Sequence, residues 1–296
     1  MQREKQTRSG RLFEVDFYPV FADGRRMPTR APKTKRSTAE QARYNRKKAV
    51  KNFVRKVNAN FVTGDLYTHP TYEPGCAPFT IEDAKRDIVN FFRRVKTARA
   101  ATLKSVVKEL AERPDNKKLL SERKKLEEPF KYAYRIEVET FKRGARTGQE
   151  RYHFHLFMTG GLDRDAVEAL WPYGERINVD KYRPEVFGPE AAALYTTKSG
   201  QGKLKLGFSK NLTAPDESKV KDGQISAKGV TKIATERVDD AAYWERRYKG
   251  YKFLRCYSRF NDYNGYWYVS VVMYKPEGTG PLPEWNNDVD WMTEAE

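Results

Sequence analysis

The octapeptide Arg-Tyr-His-Phe-His-Leu-Phe-Met at residues 151–158 places two histidines in alternation with bulky apolar side chains. Strict alternation predicts a β-strand, in which residues two apart point to the same side of the sheet. His153 and His155 then face one side, while Phe154 and Leu156 face the other, toward a core. Two imidazoles on one face of a rigid strand supply half of a metal site. The alternative is a pair of ordinary surface histidines on a half-buried strand.

A second alternating segment, residues 130–140, precedes this strand and predicts an antiparallel hairpin with it. Its charged face carries Glu137 and Glu139. A set of two histidines and one carboxylate leaves coordination positions open, which suits Mg²⁺ or Mn²⁺ acting on a phosphate substrate. Both glutamates are candidates for the third ligand. We favour Glu139, because it is closer to the hairpin loop.

The periodicity of the rest of the chain predicts an α+β protein with an antiparallel sheet covered by helices. Residues 200–229 are polar and are predicted to be irregular. Ser37 and Glu40 form a capping-box pattern at the start of the first helix. Helices are predicted at 37–58, 80–125 (interrupted near Pro114), 163–170, 189–199 and 231–248, and extended segments at 11–20, 61–72, 130–140, 151–159, 175–180, 251–259 and 266–274.

Positive charge is concentrated at the beginning of the chain. The formal net charge is +17, and residues 1–56 hold 17 Lys/Arg against 5 Asp/Glu, a balance of +12. This density fits binding to a phosphate backbone with release of counterions. The alternative is a solvated basic arm. The candidate phosphate contacts lie on the first predicted helix and are Arg43, Arg46, Lys47, Lys51 and Arg55.

Several classes of protein are excluded by composition. Cys76 and Cys256 are too few and too far apart for a zinc ribbon or a disulfide framework. No stretch of 18 apolar residues occurs, so we expect no membrane partner. The N-terminus lacks the apolar segment of a secretory signal, and we expect an intracellular, cytoplasmic protein.

Tyr195 and Lys198 share one face of the Ala-rich helix predicted at 189–199, because residues three apart are neighbours on a helix. A tyrosine phenolate can attack phosphorus, and a nearby lysine can stabilise the phenolate or the charged transition state. The chain contains 18 tyrosines, so Tyr-x-x-Lys alone is also expected by chance.

The ordered combination of these motifs resembles the HUH endonuclease superfamily. Within it, the chain is most similar to rolling-circle replication initiators of the microvirus and filamentous-phage type, as found in plasmids and integrated elements of Gram-positive bacteria. The resemblance covers most of residues 11–274. The matching segments are Glu40–Asn45, Asn60-Phe61, Asp65–Tyr67, Pro70–Tyr72, Tyr134–Glu139, Lys142–Gly144, Tyr152–Phe157, Ala192–Lys198, Phe208–Leu212 and Pro215.

The resemblance implies a ferredoxin- or RRM-like endonuclease core at 60–200. It also implies a DNA-contacting strand and helix at 1–59, and an extension at 201–296 whose helix and hairpin pack on the core. His153, His155 and Glu139 would bind Mg²⁺ or Mn²⁺, and Lys198 would support the nucleophile or position the metal. Tyr195 would nick single-stranded origin DNA, held as an origin hairpin, and leave a 5′-phosphotyrosine and a 3′-hydroxyl for the host polymerase.

Two positions depart from the family pattern. Some relatives carry a second tyrosine four residues after the first, whereas position 199 is Ser, so a relay between two tyrosines is not expected. The first motif carries His69-Pro70 where relatives usually have Thr-Leu. His69 could approach the metal if its strand neighbours the histidine strand. We expect instead an incidental polar residue at a loop or strand end.

Two other functions compete with this interpretation, and a third is excluded. A conjugative or mobilisation relaxase uses the same chemistry for transfer, although its tyrosine more often lies near the N-terminus. A non-catalytic protein that grips single strands would explain the charge and the 13% aromatic content, but not the motifs in family order. A histidine-triad hydrolase is excluded, because position 157 is Phe.

The chain has no phosphate-binding Gly-x-x-x-x-Gly-Lys loop, so a host helicase would have to unwind the duplex.

Overall fold

A computed structural model describes residues 1–21, 38–73, 75–140, 143, 147–148, 150–174, 177–184, 193 and 205–276. Within these residues the protein is α+β, with six helices and with ten strands in two antiparallel five-stranded sheets. The predicted α+β class is thereby confirmed. None of the described helices combines the length and the apolar composition needed to cross a membrane.

The described chain forms two compact units: a central unit from residues 60–212, and a terminal unit from residues 1–59 with residues from 213 onward. The central unit contains β3 (Leu66–His69), α2 (Ile81–Glu112), α3 (Lys117–Glu127), β4 (Tyr132–Thr140), β5 (Glu150–Met158), α4 (Arg164–Glu168), β6 (Asn178–Lys181) and β7 (Lys205–Phe208). The terminal unit contains β1 (Gln2–Ser9), β2 (Leu12–Pro19), α1 (Ala39–Asn60), β8 (Val220–Asp222), α5 (Ala227–Glu236), α6 (Ala241–Arg247), β9 (Lys252–Asn261) and β10 (Tyr266–Tyr274).

The histidine strand β5 is the middle strand of the central sheet, whose order is β6-β3-β5-β4-β7. The predicted hairpin of residues 130–140 with 151–159 is confirmed as the antiparallel pair β4–β5. Phe154 and Leu156 of β5 are fully buried in one core with α2, as the alternation predicts. The opposite face of β5 is therefore left to the histidines.

The helices of the central unit begin and end where local sequence dictates. Thr80 caps α2, because its hydroxyl accepts a hydrogen bond from the Asp83 amide at 3.1 Å. The predicted interruption near Pro114 is confirmed, since α2 ends at Glu112 and α3 starts after the cap residue Asn116. The long helix α2 supplies much of the apolar surface that covers the sheet.

The strand before the histidines ends at a proline. β3 runs only to His69, since Pro70 has no amide hydrogen to donate to a neighbouring strand. The Pro70 carbonyl still accepts a hydrogen bond from the Phe154 amide at 3.2 Å, and Thr71 forms an isolated bridge with His153. Residues 66–71 of the segment predicted at 61–72 are thus extended beside the histidine strand, with pairing interrupted at Pro70, whereas residues 63–65 form a turn.

The C-terminal hairpin β9–β10 belongs to the sheet of the terminal unit. β10 pairs with β2, and the sheet order is β8-β1-β2-β10-β9. Apolar residues of α5 and α6 pack with one face of this sheet. Residues 1–59 and the chain after 212 therefore share one core.

Three regions of the chain differ from the prediction. β7 and β8 lie within residues 200–229, which were predicted to be irregular, and β7 pairs with β4 of the central sheet. The single helix predicted at 231–248 is two helices, α5 and α6. β1 was not predicted, because its sequence, Gln-Arg-Glu-Lys-Gln-Thr-Arg-Ser, contains no apolar residue.

Candidate metal centre

The two histidines and one glutamate meet on the face of the central sheet opposite α2. In the β4–β5 register, Glu137 lies directly across from His153, and Arg135 lies across from His155. Side chains directly opposite each other in an antiparallel pair, and those two residues along, share one face. Glu137, His153 and His155 therefore converge as a consequence of strand register alone.

One oxygen of Glu137 is shared by both imidazoles. His153 Nε2 and His155 Nε2 each lie 2.9 Å from Glu137 Oε2. The ligand atoms of the three residues lie within 4.8 Å of one another, which makes this group a candidate for holding a metal ion. Two imidazole nitrogens and a carboxylate oxygen form a donor set of the kind used by divalent transition metal ions, including Mn²⁺. The residues present thus fit a divalent cation.

This donor group lies in a largely buried environment. Glu137 is 3% exposed and His155 is 6% exposed. Burial lowers the pKa of His155 below its ordinary value, although the hydrogen bond with Glu137 acts in the opposite direction. A neutral imidazole is the form that binds a metal ion, so the lowered pKa favours binding at neutral pH.

The carboxylate that meets the two histidines is that of Glu137, whereas the sequence favoured Glu139 as the third ligand. Glu139 pairs across the strands with Arg151, and both residues are exposed. Two residues along a strand correspond to about 7 Å, so Glu139 lies one full side-chain position away from Glu137. The position opposite His153 in the strand register, and not the distance from the hairpin loop, decides which carboxylate lies beside the histidines.

His69 is the last residue of β3, at a strand end as expected, and it lies on the face that carries the histidines. Its ring centroid lies 4.8 Å from that of His155, with the ring planes at 90°. Burial lowers the pKa of His69 to about 4, and His155 adds to this effect. His69 does not belong to the group of three converging donors. It is therefore a neighbour of the candidate metal ligands.

Tyr67 is a site residue that the sequence reasoning did not single out. Its hydroxyl lies 3.4 Å from His155 Nδ1, and its ring stacks on Phe157 with centroids 4.6 Å apart. A partner at Nδ1 orients a histidine that offers Nε2 to a metal. Tyr67 and His69 are two residues apart on β3, so both side chains lie on the face that adjoins the histidines. This spacing is the sequence signal that could have identified Tyr67.

Tyr195 and Lys198 lie outside the described residues, as does most of the helix predicted at 189–199. The capping residue Ser37 also lies outside them. In the described chain, Thr38 takes that role at α1, since its hydroxyl accepts a hydrogen bond from the Gln41 amide at 3.1 Å.

The basic helix α1 divides into two groups of residues. Lys51 and Arg55, both predicted phosphate contacts, form ion pairs within the protein. Lys51 Nζ lies 3.3 Å from Asp16, and Arg55 pairs with Glu14 and, at 2.9 Å, with Glu217. The remaining candidates are Arg43, which is exposed, and Arg46 and Lys47, which are partly exposed.

The pKa values of the paired cations reflect these carboxylates. Burial alone would lower the pKa of Lys51, but the charges of Glu14 and Asp16 outweigh it, and the pKa is raised. The pKa of Arg55 is raised in the same way, chiefly by Glu14 against burial. These two cations therefore neutralise the carboxylates of β2 and hold α1 on the sheet face that carries them.

Comparison of the chain with protein-family models, with curated proteins and with solved structures finds no match.

Proposed function

We propose that this chain is a metal-dependent nickase for single-stranded DNA that initiates rolling-circle replication, with chemistry of the HUH type. The observation that carries the proposal is the convergence of His153 Nε2 and His155 Nε2 on one oxygen of Glu137, each at 2.9 Å. The histidines are the pair from the His-hydrophobic-His motif, and the glutamate lies within the segment Tyr134–Glu139 that resembles the same family motif. A purely structural histidine pair would not require a nearly buried carboxylate between its rings.

In the proposed reaction, Glu137, His153 and His155 hold Mg²⁺ or Mn²⁺. When bound, such a cation supplies Lewis acidity toward a phosphate oxygen. The Tyr195 oxygen forms a bond to the scissile phosphorus, and the bond from phosphorus to the 3′-oxygen breaks. Tyr195 gives up its proton, and the departing 3′-oxygen takes one up. The products are a 5′-phosphotyrosine and a free 3′-hydroxyl.

The assignment of Tyr195 and Lys198 rests on their motif in the sequence. Lys198, three residues after the nucleophile, would stabilise the phenolate by its charge or help position the metal. Because one ester bond replaces another, the reaction is reversible, and the same residues can rejoin the strand. A host polymerase would extend the 3′-hydroxyl, and a host helicase would unwind the duplex.

DNA binding is proposed for the beginning of α1. Arg43 is exposed and Lys47 is partly exposed, and both precede the part of the helix that is paired with β2. Exposed cations at one end of a helix suit contacts to a phosphate backbone, which carries no sequence information and orients the strand. The net charge of +17 supports an anionic partner for the whole chain.

The test is a cleavage assay with oligonucleotides that tile both strands of the DNA flanking the coding sequence. Wild type, Tyr195→Phe and His153→Ala are incubated with Mn²⁺ or with EDTA, and covalent adducts are read on a denaturing gel. Tyr263→Phe is the matched control, because Tyr263 is 98% exposed in the β9–β10 turn. We expect a Mn²⁺-dependent adduct in wild type and Tyr263→Phe that is lost in the other two variants.

The remaining outcomes separate the alternatives. An adduct that persists in Tyr195→Phe would assign the nucleophile to another tyrosine. Oligonucleotide binding without any cleavage, in the presence of Mn²⁺, would favour a non-catalytic protein that binds single strands.

A further inference from the structure

The two oxygens of the Glu137 carboxylate have different partners. Oε2 faces His153 and His155, whereas Oε1 accepts a hydrogen bond from Arg135 Nη2 at 3.1 Å. The side chains of Arg135 and Glu137 are each only 4% exposed. The carboxylate is therefore held between a guanidinium on one side and two imidazoles on the other.

The position of Arg135 follows from the strand. Arg135 and Glu137 are two residues apart on β4, so they lie side by side on one face. Across the strands, Arg135 is opposite His155 on β5 and opposite Leu206 on β7. A charged pair on an inner strand of a sheet has little freedom to move, because pairing on both sides fixes its backbone.

A carboxylate can bind a cation through one oxygen or through both. Ca²⁺ takes six to eight oxygen ligands and readily accepts both oxygens of one carboxylate, whereas Mg²⁺ requires near-octahedral geometry and commonly takes one. With Oε1 engaged by the guanidinium, Glu137 presents only Oε2 toward the histidines. The number of oxygens that Glu137 offers thus depends on Arg135.

We propose that Arg135 is a positioning residue that restricts Glu137 to coordination through one oxygen and so makes the site prefer small octahedral cations over Ca²⁺. This inference rests on the metal centre of the proposed function. It deepens that proposal by assigning the choice of metal to a residue that is not itself a ligand.

The charge of Arg135 has a second effect, which must be separated from the first. A guanidinium near a cation site opposes the binding of every divalent cation by Coulomb repulsion. Mn²⁺ and Ca²⁺ carry the same charge, so this repulsion largely cancels in the ratio of their dissociation constants. The ratio therefore reports coordination, whereas either affinity alone reports charge and coordination together.

The experiment is calorimetric titration of the full chain with Mn²⁺ and with Ca²⁺, in the absence of DNA. Arg135→Met removes the guanidinium and keeps a side chain of similar length. Arg151→Met is the matched control, because Arg151 is an exposed cation on β5, two residues from His153. We expect the ratio of the Ca²⁺ to the Mn²⁺ dissociation constant to fall about tenfold in Arg135→Met and to stay at the wild-type value in Arg151→Met.

Equal changes in both affinities in Arg135→Met would overturn the proposal, since they would assign Arg135 a role in charge or folding alone. A crystal structure of the wild-type protein with Mn²⁺ tests the same point without a variant. Coordination of Mn²⁺ through Glu137 Oε2 alone is expected, and coordination through both oxygens would overturn the inference. Neither measurement involves cleavage, so a failure of the proposed nickase activity is recognised separately in the oligonucleotide assay.

Discussion

His69 lies edge-on to His155, with their ring centroids 4.8 Å apart and their planes at 90°. The contact arises because β3 pairs antiparallel with β5, which brings Thr68 opposite Leu156 and carries His69 alongside His155. All three histidines of the chain are thereby gathered on one face of the central sheet, although His69 is 86 positions away from His155 in the sequence.

Burial of the His69 ring makes the free energy of unfolding depend on pH in the acid range. The pKa of His69 is lowered to about 4 by burial, with a contribution from His155, whereas an unfolded chain has a histidine pKa of about 6.5. Between these values the unfolded state binds the extra proton, so the free energy of unfolding decreases as pH falls from about 6.5 toward about 4. Above about 6.5 this contribution is fully present.

His69→Gln should remove that acid-dependent loss. Chemical denaturation in EDTA over this pH range should give a shallower dependence of the free energy of unfolding on pH, by up to about 1.4 kcal/mol per pH unit. At pH values above the range, wild type and variant should show the same pH dependence. Identical slopes throughout would show that His69 is protonated as easily in the folded protein as in the unfolded chain.

Glu137→Gln and Glu139→Gln form a matched pair of variants on one strand. Glu137 lies between both histidines, whereas Glu139 is exposed opposite Arg151. Glu137→Gln should weaken Mn²⁺ binding by about 100-fold or more, because it removes the negative charge and replaces one carboxylate oxygen by an amide nitrogen that does not bind a cation. Glu139→Gln should bind Mn²⁺ as wild type does. Calorimetric titration distinguishes the two, and the reverse ranking would restore Glu139 as the ligand.

The ion pairs of α1 predict which cations contribute to the proposed DNA binding. Arg43→Gln combined with Lys47→Gln should weaken binding to single-stranded DNA and reduce the slope of log affinity against log salt by about 1.4, which corresponds to two phosphate contacts. Lys51→Gln is the control, since Lys51 is paired with Glu14 and Asp16. It should lower the thermal stability and leave the salt slope unchanged. A reduced slope in Lys51→Gln would mean that its ion pairs exchange for phosphate on binding.

Substitution of Arg99 is expected to destabilise the central unit. This residue is 4% exposed, and its guanidinium donates hydrogen bonds to four backbone carbonyls, three of them at the end of α3. Arg99→Leu leaves these buried acceptors without donors and should decrease the free energy of unfolding by about 3 kcal/mol. Arg93→Leu, at an exposed position of the same helix, should cost far less. Urea denaturation of both variants measures the difference.

Local patterns in the sequence predicted the part of the site that depends on one strand. The alternation around His153 is sufficient to place both imidazoles on one face, since the geometry of a strand has a period of two. The choice between Glu137 and Glu139 depends on the register between two strands, and the position of His69 depends on the pairing of β3. Neither the register between the two strands nor the pairing of β3 can be inferred from a short stretch of sequence.

Polar and charged composition is a poor guide to structure in two elements, β1 and α1. β1 has a wholly polar sequence, and it is nonetheless paired on both sides, with Glu4 buried and bound to Arg247. Such a strand is held by backbone pairing and buried ion pairs, which hydrophobic alternation does not detect. In α1, counting charges could not show that Arg55 is neutralised by Glu14, because the two residues are 41 positions apart.

The pairing of β2 with β10 has a consequence for synthesis on the ribosome. β2 ends at Pro19, and its partner begins only at Tyr266, so the first strands emerge long before the strand that completes their sheet. At about 5–20 residues per second, this interval lasts roughly 10–50 s. The whole described central unit emerges during that time and is free to fold first. The β1–β2 hairpin meanwhile has an open edge at β2, which exposes unpaired backbone groups to pairing with other chains.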